Sequence, residues 1–129
     1  MQNEENDDKN AISVKANRKS NSIFYFGNNF YSTAPPKFVQ ELSDSEVQID
    51  HPTQLMVRVV GNPEPTLTWF HNGKIIEEKM GFKMERDGNE YRLSIKETKE
   101  EMGGAYSVEA VNTIGKASSH GSVTILGKI

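Results

Sequence analysis

A chain of 129 residues gives room for one domain and a tail. The formal net charge of −3, with acidic and basic residues interspersed, argues against a general nucleic-acid or membrane surface, and the absence of cysteine removes disulfides, thiolate metal sites and a cysteine nucleophile. No apolar run reaches the length of a membrane span, Met1-Gln-Asn-Glu-Glu lacks the apolar core of a secretory leader, and no Asn-x-Ser/Thr sequon occurs; together these features suit a cytoplasmic protein.

Residues 1–34 are polar and turn-rich, with an acidic start (Glu4, Glu5, Asp7, Asp8) and a basic centre (Lys9, Lys15, Arg18, Lys19) whose charges cancel. Such a segment buries too little apolar area to offset its ordering entropy, so an extended, largely disordered tail is expected. Within it, Arg18-Lys19-Ser20-Asn21-Ser22 matches what basic-directed kinases read, a pattern common in polar tails. One stretch stands apart: Phe24, Tyr25, Phe26, Phe30 and Tyr31 are half of the chain's ten Phe and Tyr residues. Gly27, Asn28 and Asn29 permit a turn between the two aromatic groups, so 23–26 and 30–32 are expected to form a small hairpin. It either folds onto the domain or docks on a partner.

From Pro35-Pro36 onward, through about residue 127, short strands come at sandwich spacing. Residues 37–42 and 46–49 read as a broken first strand, with Phe38 and Val47 inward. In 53–60, Leu55, Val57 and Val59 alternate with Met56, Arg58 and Val60, the period of a half-buried strand. Gly61-Asn62-Pro63 ends that strand, and 65–71 carries the only tryptophan, Trp69. Asn72-Gly73 supplies a tight turn into short edge pieces at 74–77 and 82–86. Asp87-Gly88-Asn89 turns the chain into 91–96, where Leu93 and Ile95 face in. Residues 98–104 form a crossing loop, and 105–112 with 116–126 make a hairpin through Thr113-Ile114-Gly115. An indole between two short strands needs a second sheet to cover it, so the fold class is all-β, a two-sheet sandwich.

The order Gly61-x-Pro63-x-Pro65, Trp69, Leu93-x-Ile95, Gly104-x-Tyr106-x-Val108-x-Ala110-x-Asn112, Gly115 resembles the intermediate-set (I-set) immunoglobulin domain. It is closest to the intracellular muscle branch of titin, twitchin, obscurin and the myosin-binding proteins, which Ala34-Pro-Pro-Lys-Phe38 and Glu46-Val-Gln-Ile-Asp50 also fit. The resemblance implies an immunoglobulin-like sandwich whose core holds Val57, Trp69, Leu93, Tyr106 and Val108. The positions of the family's usual inter-sheet cysteines fall on Val57 and Val108. Bridging that loop of roughly 50 residues would stabilise by roughly 4 kcal/mol. Two buried valines contribute roughly 1.5–3 kcal/mol each by apolar transfer, so the apolar pair can replace the bridge. Met102 stands where the family usually has an aspartate, Asp50-His51 replaces a common Glu-Gly turn, and Tyr106 keeps the tyrosine-corner position.

No catalytic, cofactor or metal site is legible. His51, His71 and His120 show no ligand spacing and read as solvated surface residues, and no nucleophile elbow or phosphate-cradling loop occurs. The expectation is therefore a non-enzymatic structural or protein-binding module. By resemblance it would serve the sarcomeric cytoskeleton, meeting filaments or neighbouring immunoglobulin or fibronectin modules; alternatives are a cell-surface adhesion or receptor domain and a regulatory module of a muscle kinase. Such modules bind through edge strands and loops. Candidate surfaces are the aromatic cluster Phe24, Tyr25, Phe26, Phe30 and Tyr31, the edge 74–86 and the strand 116–126.

Overall fold

The computed structural model describes residues 22–26, 29–79 and 81–127; the rest of the expected tail lies outside them. Among the described residues, ten strands form two five-stranded sheets. They are β1 (Ser22–Phe26), β2 (Asn29–Gln40), β3 (Ser45–Gln48), β4 (Thr53–Asn62), β5 (Thr66–His71), β6 (Lys74–Ile75), β7 (Phe82–Asp87), β8 (Glu90–Ile95), β9 (Gly104–Val111) and β10 (Lys116–Leu126). Sheet one runs β1-β2-β4-β8-β7 and sheet two β3-β10-β9-β5-β6. All pairings are antiparallel except β3 with β10, which is parallel.

The break in the first strand has a physical purpose. Its first half, β2, pairs with β4 in sheet one, while β3 pairs with β10 in sheet two. The crossing between them is pinned to β10: Leu42 N–H donates to Ser119 Oγ at 2.9 Å, and Ser122 N–H to Asp44 Oδ1 at 2.9 Å. β10 approaches so closely that a Cβ on Gly121 would meet Ser43 O at 3.1 Å.

Turns close where backbone chemistry allows. Asn72 and Gly73 take positive φ angles of 50° and 83°, the handedness that lets a two-residue hairpin follow the strand twist between β5 and β6. Gly88 does the same between β7 and β8, where Asp87 pairs with Glu90.

The period of two predicted from sequence is visible in burial. Leu55, Val57 and Val59 of β4, Tyr91, Leu93 and Ile95 of β8, and Tyr106, Val108 and Ala110 of β9 are buried, and the residues between them are not. Trp69 is 3% exposed and pairs in register with Val108. Val57 and Val108 are both 0% exposed, on strands of opposite sheets within one apolar cluster that also holds Leu93 and Tyr106. Val47 is buried, and Phe38 packs against the cluster partly covered.

The solvent side of sheet one carries charges that neutralise each other across strands. Arg58 meets Glu90 at 3.1 Å, Arg92 meets Glu90 at 2.6 Å and Glu85 at 3.8 Å, and Lys83 meets Glu85 at 3.6 Å. Arg86 pairs with Glu64 and lies over the Tyr91 ring, 5.1 Å from its centroid.

Candidate protein interface

The aromatic cluster lies on a two-stranded ribbon. The register of β1 with β2 sets Phe24 opposite Tyr31 and Tyr25 opposite Phe30, with Gly27 and Asn28 between the strands. β2 continues through Pro35 and Pro36 into the sandwich, where Ala34 pairs with Asn62, the last residue of β4. The ribbon therefore prolongs sheet one past the end of β4, where its backbone needs other partners. Two asparagine amides supply them. Asn62 Nδ2 donates to Ser32 O, and Asn112 Nδ2 donates to Ala34 O at 2.8 Å.

Asn112 is a hub for that end of the molecule. Its Nδ2 also donates to Pro63 O at 2.8 Å, after the cis Asn62–Pro63 bond, and its Oδ1 accepts Ile114 N–H at 2.9 Å and Gly115 N–H at 3.1 Å. Three segments thus meet at one side chain: the ribbon root, the 61–65 loop and the 112–115 turn. Close approach is required there, since a Cβ on Gly61 would meet Pro36 Cα at 3.2 Å and one on Gly115 would meet Pro35 Cβ at 3.3 Å.

The second expected surface, 74–86, borders an open groove of about 440 Å³ lined by His71, Lys74, Ile75, Phe82, Glu101 and Met102 among others. Ile75 is 65% exposed beside it. On the neighbouring edge strand β7, however, backbone donors are already used: Met84 N–H donates to Glu78 Oε2 at 2.8 Å and Phe82 N–H to Lys79 O at 3.3 Å. The third surface, β10, is covered by β3 only from Val123 to Leu126, while Leu42 and Asp44 bond to Ser119 and Ser122.

At the opposite end one contact was legible in sequence and one was not. The Tyr106 hydroxyl donates to Met102 O at 2.5 Å, closing the tyrosine corner, and burial raises its pKa to about 12. The unforeseen contact is at sulfur: Lys99 N–H donates to Met102 Sδ at 3.4 Å. The surface reading of His71 needs correction. Its ring stacks on Tyr106 with centroids 4.5 Å apart, and its Nε2 bonds to Gly103 O at 2.8 Å, so it is a packed member of the corner. His51 caps its own turn through Ile49 O at 3.1 Å, and His120 is exposed. Asp50 sits at φ 69° and accepts from Lys99 Nζ at 2.9 Å, which raises the Lys99 pKa. Among the described residues, no group of His, Cys, Asp or Glu is placed to hold a metal ion.

A two-sheet sandwich with this strand order, a buried tryptophan and a tyrosine corner defines an immunoglobulin-type domain. The immunoglobulin I-set domain profile matches residues 36–125, and the chain belongs to that family. Its relatives are muscle proteins. It is 38% identical over 93 residues to smooth muscle myosin light chain kinase of Gallus gallus, covering 72% of this chain and 5% of the kinase. It is 34% identical over 93 residues to nexilin of Homo sapiens, covering 72% of this chain and 14% of nexilin. The chain thus spans at most about a seventh of these relatives. Among solved structures, titin domains Z1Z2 in complex with telethonin superpose with a TM-score of 0.73 at 32% identity, covering 81% of this chain and 58% of that one.

Proposed function

We propose that this I-set domain is a non-enzymatic structural and protein-binding module of a muscle cytoskeletal protein, working in the cytoplasm at the sarcomere to organise or attach filaments. The observation that carries the reading is the ribbon. The family match begins at residue 36, and before it the chain adds β1 and the first half of β2, with five aromatics, extending sheet one beyond the sandwich. An extended ribbon offers backbone pairing for affinity and aromatic side chains for anchoring, the usual chemistry of strand-mediated recognition. On this reading 1–34 is the docking segment, with Phe24, Tyr25, Phe26, Phe30 and Tyr31 as its contact residues, and 35–127 is the domain that holds it. Similarity to a titin structure solved with telethonin and to muscle proteins such as nexilin supports protein partners of the filament system. A second reading, a regulatory module beside a muscle kinase, is favoured by the 38% identity to smooth muscle myosin light chain kinase and the 36% identity to a striated muscle kinase of Danio rerio.

The test is affinity capture from muscle lysate with the full chain and with 35–129 alone. Enrichment of filament proteins by the full chain, lost without residues 1–34, is expected. Recovery of the same proteins by both forms would refute the ribbon's role, and no filament protein in either would refute the muscle assignment.

A further inference from the structure

The sandwich has four open sheet edges among the described residues, and three are closed to strand addition. On β7 the outward N–H groups of Phe82 and Met84 are already bonded to Lys79 O and Glu78 Oε2, and Lys83, Glu85, Arg86 and Asp87 add charge. β6 is two residues long. β3 is four residues long, carries Glu46, and pairs parallel with β10. Short strands, charged side chains and capped donors are how soluble sheets keep their edges from pairing.

Among the described residues, β1 shows none of these devices. Its sequence, Ser22-Ile-Phe-Tyr-Phe26, contains no charge, proline or glycine, and β1 is the outermost strand of sheet one. With Phe26 opposite Asn29 across a two-residue connection, the hydrogen-bonded pairs of the hairpin fall at Phe26, Phe24 and Ser22. The alternation turns the N–H and C=O of Ile23 and Tyr25 to the open edge. β7 follows the same rule: counting from its Asp87–Glu90 closure, the outward donors fall on Arg86, Met84 and Phe82, and the last two are found capped.

We infer that β1 is a self-pairing edge, whose occupant is β1 of a second copy of this chain. An antiparallel pairing about a two-fold axis at Phe24 sets Ile23 against the other copy's Tyr25, and their outward groups exchange about four interchain hydrogen bonds. Sheet one then runs continuously through both copies. A neutral strand meets its own sequence without like-charge contact, since the nearest charged residues in the chain are Lys19 and Lys37. The inference rests on reading the ribbon as an interaction element and names its partner.

Analytical ultracentrifugation of the full chain, from micromolar to near-millimolar concentration, tests it. The sedimenting mass should double with concentration. Tyr25→Pro removes an outward N–H without touching the β1–β2 pairing, and should hold the chain at one copy throughout. Phe24→Lys alone and Phe24→Glu alone should each be monomeric at neutral pH and 50 mM salt, where charges meet across the axis, and an equimolar mixture should regain the dimer. A wild-type chain monomeric at every concentration, a dimer surviving Tyr25→Pro, or a mixture that stays monomeric would each overturn the inference. Parallel lysate capture separates the two readings: a monomer that still captures filament proteins through the ribbon sinks self-pairing only, and a dimer that captures none sinks the partner reading only.

Discussion

Asn112→Ala should destabilise the domain more than any other single change to a partly exposed polar side chain. The side chain makes four hydrogen bonds: two donated, to Ala34 O and Pro63 O at 2.8 Å, and two accepted, from Ile114 N–H at 2.9 Å and Gly115 N–H at 3.1 Å. A neutral hydrogen bond contributes about 0.5–1.5 kcal/mol net, and more when its loss leaves a covered group without a partner. The bonds to Ala34 O and from Gly115 N–H are partly buried and take about 1 kcal/mol each, while the other two face water and add a few tenths each. The total is roughly 2–3 kcal/mol, which for a domain of this size lowers the melting temperature by roughly 8–20 °C. Calorimetry and urea unfolding at an unchanged denaturant slope are the assays. Asn112→Asp separates the two halves of the hub: it keeps the acceptor and loses both donors, and should forfeit at least half of the stability lost in the alanine variant. A midpoint within about 0.5 kcal/mol of wild type for Asn112→Ala would show that the three segments hold together without it.

Three further expectations follow from the core. Trp69→Ala removes a nearly fully buried indole and should cost roughly 3–5 kcal/mol by denaturant titration; a wild-type midpoint would contradict its placement between the sheets. Val57→Cys with Val108→Cys should oxidise under mild conditions and raise the melting temperature, provided the Cα atoms lie within about 7 Å, and failure to crosslink in a folded protein would refute the facing of these strands. Tyr106, whose pKa is raised by burial to about 12, binds its proton more tightly folded than unfolded. Its contribution is complete below about pH 10 and is lost as pH climbs towards 12, so Tyr106→Phe should show a flatter stability profile across that window, and parallel profiles would refute the burial of the hydroxyl.

Features written in local periodicity or turn chemistry were legible in the sequence. The alternation of Leu55, Val57 and Val59, the Asn72-Gly73 turn and the single Trp69 locate strands and an inner face because each signal spans only a few residues. The ribbon was legible for the same reason, from Gly27-Asn28-Asn29 between aromatic runs. What escaped depends on residues distant in sequence meeting in space. Nothing local ties Asn112 to Ala34 or Ser119 to Leu42, each pair separated by more than seventy positions. His71 read as a surface residue because stacking on Tyr106 is a property of two paired strands, not of either one. The broken first strand was visible, but its division between two sheets, with a parallel β3–β10 pair, was not.

The central claim, that the aromatic ribbon attaches a stable domain to the muscle cytoskeleton, is tested most directly in muscle cells. A fluorescent fusion of the full chain should decorate sarcomeres in a striated pattern. The same fusion with Phe24, Phe26 and Phe30 together replaced by Ser should turn diffuse while the purified variant keeps its melting temperature. A striated pattern that survives the triple substitution, or a diffuse one accompanied by a melting temperature several degrees lower, would contradict the claim and assign the ribbon to the domain's own stability.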